Sequence, residues 1–188
     1  MKQLANRLTA TFLFLAGVSL CAQQTPAPHP APPANFKQSF LYQLGETEKK
    51  LVSLAEAIPQ EKYSWRPEEG VRSIGEAFMH EAGANVFFMT FVGTKPPAGF
   101  DPKGEKTVTE KAKIIQAMKD SFAHVRSTVT AMTDEDLQKG GNLMGHPATY
   151  ESILFFFSDH MHEHLGQLIA YARMNGIVPP WSAKSKEN

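Results

Sequence analysis

Four stretches of the 188-residue chain carry apolar residues at helical spacing. In the first, Phe40, Leu44, Thr47, Leu51, Leu54 and Ile58 recur at alternating intervals of four and three. That spacing lines one side of a helix, and Pro59 ends it. The second opens at Ser73 and Glu76, an S-x-x-E capping box, and carries Ile74, His80, Phe87, Phe88 and Phe91. Gly93 to Gly104, with Pro96-Pro97 and Asp101-Pro102 inside it, predicts a loop. Thr107 and Glu110 repeat the capping pattern before the most regular stripe, Ile115, Met118, Phe122, Val125, Val129 and Met132. Thr133 and Asp136 cap a short turn, and a Gly-rich connection runs from Lys139 to Pro147. Thr149 begins a fourth helix through Ile153, Phe156, Phe157, His160, His164, Leu168 and Tyr171, which Gly176 and Pro179-Pro180 terminate. No alternating strand pattern is evident. The expected fold is therefore all-α, a four-helix bundle.

The ends of the chain read differently. Lys2 and Arg7 precede an apolar run from Leu8 to Leu20, and small residues follow at Cys21-Ala22, the layout of a signal peptide over residues 1–22. The run is about a dozen residues, short of the roughly 20 that a membrane span needs, so the expectation is an exported protein, periplasmic or extracellular, without a stable span. A lipoprotein attached through Cys21 is the weaker alternative, because Leu20 stands where a small residue is wanted. Residues 23–35 form a Pro/Ala-rich tether, 36–180 the bundle and 181–188 a polar tail.

Charge and cysteine count narrow the chemistry. The chain has 19 basic and 19 acidic residues, and loss of Lys2 and Arg7 with the leader would leave 17 against 19, a net charge of −2. Nucleic-acid binding, which calls for a basic face, is not expected. Cys21 is the single cysteine, so the mature domain would have neither a thiol nucleophile nor a disulfide.

Histidine placement supplies the candidate site. His160 and His164 are four residues apart, and at about 100° per residue they share one helix face with Ile153, Phe156, Gln167 and Tyr171. His162 falls on the opposite side and should meet solvent, while Glu163 flanks the stripe. Counting from His80 places Ala84, Phe87 and Phe91 on the same inward face. A buried imidazole without partners leaves a donor and an acceptor unsatisfied, at about 1–3 kcal/mol each. Three of them converging on a divalent ion turn that cost into binding. The alternative is core histidines satisfied by carboxylates or water. The spacing lacks the glutamate directly after the first histidine that marks a zinc-protease helix. His29, His124 and His146 fall in the tether, off the third stripe and in a loop, and the Phe155-Phe156-Phe157 and Phe87-Phe88 clusters read as core.

These residues resemble the DinB-like (DinB/YfiT-like) family of metalloenzymes. The likeness rests on Trp65-Arg66-Pro67, on residues 70–76 with His80, on His160 with His164-Leu165-Gly166-Gln167, and on the closing residues 173–180. The resemblance implies an up-down-down-up four-helix bundle over roughly residues 36–180. It also implies a divalent metal, nickel or zinc, held by His80, His160 and His164, and it suggests a homodimer. Relatives include thiol-dependent transferases, a role at odds with export because low-molecular-weight thiols are scarce outside the cytoplasm. Three ligands and open positions fit a metal-dependent hydrolase acting on a small molecule, with Glu163 or Glu81 as general base. Glu76 is a poorer candidate for that part, since the capping box engages it. The alternative is a non-catalytic ligand-binding or sensing bundle with a pocket near Trp65, Phe87 and Tyr171.

Overall fold

The computed structural model describes residues 35–183, so the expected leader, almost all of the tether and residues 184–188 lie outside it. Four long helices form the bundle: α1 (Phe36–Ala57), α2 (Ile74–Phe91), α4 (Lys111–Ala131) and α6 (Tyr150–Met174), with one-turn helices α3 (Gly104–Thr107) and α5 (Asp134–Leu137) between them. α1 and α2 each pack against both α4 and α6. That arrangement sets α2 beside α6, which bear the three histidines of interest.

Local chemistry explains the helix starts. Asn35 accepts the backbone N–H of Gln38 at 2.9 Å to begin α1. Ser73 and Glu76 form the expected reciprocal capping box on α2, and Thr133 with Asp136 does the same on α5. The third expected box does not form. Thr107 ends α3, its hydroxyl donating to the Lys103 carbonyl at 3.3 Å, and Glu110 precedes α4 without a side-chain cap. Gln60 takes over from across the chain, its Oε1 accepting the Lys111 N–H at 2.6 Å.

The apolar stripes of α1 and α4 meet in a core of Leu44, Leu51, Leu54, Met118, Phe122 and Val125, all fully buried. On α4 the stripe starts one residue earlier than expected: Ile114 is buried and Ile115 only partly so. Gly75 of α2 makes this fit, because a Cβ there would stand 3.3 Å from Ile114 Cδ1. α2 is buried on nearly all sides, from Ile74 and Phe78 to Asn85 and Met89. A face count therefore discriminates poorly along it, and Phe87, expected inside, is 48% exposed. On α6 Phe156 is 47% exposed, and Phe155 is exposed too, while Phe157 is fully buried.

A two-stranded antiparallel hairpin replaces the expected Gly-rich connection. β1 (Gly140–Leu143) pairs with β2 (His146–Thr149), Gly140 opposite Thr149 and Leu143 opposite His146. The turn residues Met144 and Gly145 both have positive φ, 51° and 96°, the signature of a tight type I′ hairpin turn. Asn142 steadies it by accepting the Gly145 N–H at 2.7 Å. No described helix is long and apolar enough to cross a membrane.

Candidate metal centre

His80 projects from the second turn of α2, and His160 and His164 from one face of α6. One ring nitrogen from each lies within 4.8 Å of the others. Ring centroids are 4.4 Å apart for His160 and His164, 4.7 Å for His80 and His164, and 5.4 Å for His80 and His160. Ligand nitrogens about 2.1 Å from an ion at a tetrahedral angle stand about 3.4 Å apart, so closing the 4.8 Å limit by up to about 1.4 Å through side-chain rotation would bring the trio into range. His162 is exposed, as expected, with Nδ1 2.7 Å from the Ser158 carbonyl.

The partners of the imidazoles fit a metal. His80 Nδ1 lies 3.0 Å from Glu105 Oε2, and His164 Nδ1 lies 2.9 Å from Gln167 Oε1. Both are acceptors, so each Nδ1 carries the proton and each Nε2 keeps a lone pair for a ligand bond. Each acceptor is held in turn. Arg72 Nε donates to Glu105 at 3.0 Å, and Gln167 Nε2 donates to the Tyr171 hydroxyl at 3.0 Å. Among the described residues His160 Nδ1 has no hydrogen-bond partner, yet Glu81 Oε2 stands 3.6 Å away, and both Glu81 carboxyl oxygens are buried and likewise unpartnered there.

Burial sets the electrostatics. Desolvation, then the neighbouring His164, His80 and Arg72, push the His160 pKa down to about 4. Desolvation and Arg72 likewise lower His80, against the opposing effect of Glu105. Neutral imidazole, the ligating form, is thus favoured at both. Desolvation alone raises Glu81 to about 8. Partial burial raises Glu105, but hydrogen bonds from Arg72 and His80 outweigh it and leave that carboxyl below its ordinary value.

His80 and His160 border a cavity of about 890 Å³ between α2, α4, α6 and the loop before α3, lined also by Phe87, Phe88, Phe156 and Glu105 among others, while His164 stands behind them outside its lining. Of the residues expected around a pocket, Phe87 lines it. Trp65 and Tyr171 instead pack edge to face, with centroids 5.5 Å apart, on the Gln167 side. Glu163, expected as a base, is exposed. Sequence reasoning missed Glu105 and Gln167. Gln167 was within reach, since it lies three residues beyond His164 on the same face. Glu105 gave no signal, because it lies 25 residues from His80, just past what reads as a loop.

Comparison with known proteins identifies the family and the fold. Residues 43–168 match the DinB superfamily. The chain belongs to that superfamily. Three solved structures share the fold. A DinB-like protein from Bacillus cereus is 22% identical with a TM-score of 0.66, covering 77% of this chain and 93% of its own. YfiT from Bacillus subtilis, described as a probable metal-dependent hydrolase with an unusual four-helix bundle topology, is 17% identical with a TM-score of 0.60, covering 80% and 94%. The DinB-like YjoA from Bacillus subtilis is 20% identical with a TM-score of 0.61, covering 77% and 98%. No curated protein matches the sequence.

Proposed function

We propose that this superfamily member is an exported, metal-dependent hydrolase of a small molecule, with zinc or nickel held by His80, His160 and His164. The observation that carries the reading is the trio beside an open cavity, with two of its imidazoles already fixed by acceptors on Nδ1. The description of YfiT as a probable metal-dependent hydrolase supports it. When bound, a divalent ion would supply Lewis acidity toward a substrate oxygen and would acidify a water molecule. The protein's own residues divide the remaining work. Glu105 and Gln167 orient His80 and His164, Glu81 backs His160, and Phe87, Phe88 and Phe156 form an apolar wall that limits water at the trio. Glu81 is sealed from solvent, and both Glu105 oxygens already accept hydrogen bonds. A general base, whether Glu163 or another group, would have to reach the substrate through motion or water.

That commitment of the nearby carboxylates also favours a second reading, a binding or sensing bundle that holds its ligand without turning it over. Metal analysis and turnover separate the two. One equivalent of zinc or nickel per chain, lost on His80→Ala, with hydrolysis of esters, amides or lactones by loaded protein, supports the enzyme. Stabilisation by ligand without turnover supports the sensor, and absence of metal after loading sinks the hydrolase. Export is tested by the mass of protein recovered outside the cytoplasm, expected to begin at Gln23, and the homodimer by light scattering.

A further inference from the structure

The walls of the cavity say more about the ligand than the trio does. Among the described residues, and apart from the histidines, the charged ones lining it are all acidic, namely Asp101, Glu105 and Asp120, with no lysine or arginine. Glu105 is neutralised by Arg72 at 3.0 Å. Asp101 and Asp120 accept hydrogen bonds from uncharged donors instead: the Lys103 backbone N–H at 2.8 Å and the Thr107 hydroxyl at 3.4 Å for the first, the Gln116 side-chain amide at 2.8 Å for the second. The rest of the wall is mostly apolar and includes Phe87, Phe88 and Phe156, the Phe88 ring 5.3 Å from that of His160. An anion entering here would lose hydration and, away from an ion at the trio, would meet negative charge without a compensating cation on the wall. A cation would be drawn to the aspartates but repelled by an ion at the trio.

We infer that the site takes an uncharged, largely apolar molecule bearing a single carbonyl group, such as a medium-chain ester. The inference rests on the hydrolase reading only for the position of that carbonyl, at the trio. In hydrolysis water delivers its hydroxyl to the acyl carbon, the acyl C–O bond breaks, and the alcohol oxygen takes a proton. The new acid then loses its proton to solvent. The carboxylate product is disfavoured by the same wall that admits the neutral ester, which promotes release. Anionic thiols and phosphoesters would be poor occupants.

Displacement of the uncharged dye Nile red from the full chain, with and without chelator, by 1-octanol, octylammonium and octanoate tests this without requiring turnover. From the chelated protein, where no ion can hold the carboxylate, octanol is expected to displace the dye at a concentration about tenfold below octanoate, and no higher than octylammonium. Phe87→Ser and Phe156→Ser, whose side chains are about half exposed and so leave the core intact, should each weaken dye binding several-fold, with circular dichroism unchanged. Octanoate binding the chelated protein as well as octanol, octylammonium binding better than octanol, or dye binding untouched by both serine variants overturns the inference. Failure of the hydrolase reading alone would leave the octanol preference in place and show only as absent ester turnover.

Discussion

Glu81 Oε2 lies 3.6 Å from His160 Nδ1, and neither group has a hydrogen-bond partner among the described residues. A fully buried, unpaired carboxyl is costly to keep in a helix otherwise suited to packing. Its position gives it a use if His160 turns its Nδ1–H toward it when Nε2 binds an ion. Two substitutions should then act in opposite directions. Glu81→Leu, which removes the acceptor, is expected to weaken zinc affinity by about 10–100-fold in a chelator competition. Glu81→Met, of similar length and without a polar group, should stabilise the metal-free protein by about 1–3 kcal/mol in urea unfolding. Unchanged affinity in the first variant, or lower stability in the second, would remove Glu81 from the site.

Gln167 offers a cleaner test of ligand orientation, because it lies outside the cavity wall and joins His164 to Tyr171. Gln167→Ala leaves His164 Nδ1 without its acceptor, and zinc affinity should fall about tenfold. Gln167→Glu restores an acceptor at the same reach and should recover most of the loss. Equal affinities for the two variants would mean that the His164 tautomer is set elsewhere.

The parts of this molecule that are legible in the sequence are those governed by local periodicity. The trio follows from the H-x3-H spacing together with His80, and the stripe of α1 from Phe40 to Ile58 forms as spaced. Where tertiary contacts decide, the sequence is mute. Gln60 caps α4 from 51 residues away, in place of the local Thr107 and Glu110 pattern. Phe87 and Phe156 sit at helical core spacing yet border a cavity, whose lining the loop before α3 shares. Glu105 reaches His80 only once that loop has folded. The hairpin escapes notice because its turn is Met-Gly rather than Asn-Gly, and its strands hold Gly, Asn, His and Pro in place of alternating apolar residues.

That hairpin is pressed against the bundle at one point. A Cβ on Gly141 would stand 3.2 Å from each of the Phe91 carbonyl oxygen, Ile153 Cδ1 and Tyr150 Cε1, whereas one on Gly140 would meet nothing within 4 Å. Backbone cannot yield as a side chain can. Gly141→Ala should therefore cost about 1–3 kcal/mol in thermal or urea unfolding, and Gly140→Ala less than about 0.5 kcal/mol. If the pair behaves alike, the hairpin is not seated as described.

Acid should loosen the start of α2 through Glu76. Its carboxylate accepts the Ser73 N–H at 2.8 Å and pairs with Lys106 and Arg66, each at 3.1 Å. The Ser73 hydrogen bond, assisted by Lys106 and Arg66 and opposed by partial burial, holds its pKa below the ordinary 4.5. A folded value below the unfolded one means that the ionised form is favoured by folding. The contribution is then fully present above about pH 4.5 and is lost as pH falls through the folded value. Glu76→Gln retains a cap but no charge, so it should be less stable than the natural protein at pH 7 by about 0.5–1 kcal/mol. The gap should close as the pH is lowered below 4. Melting temperatures of both proteins across pH 3 to 7 check this directly, and a gap that stays constant over that range would show that the cap works by its hydrogen bonds alone.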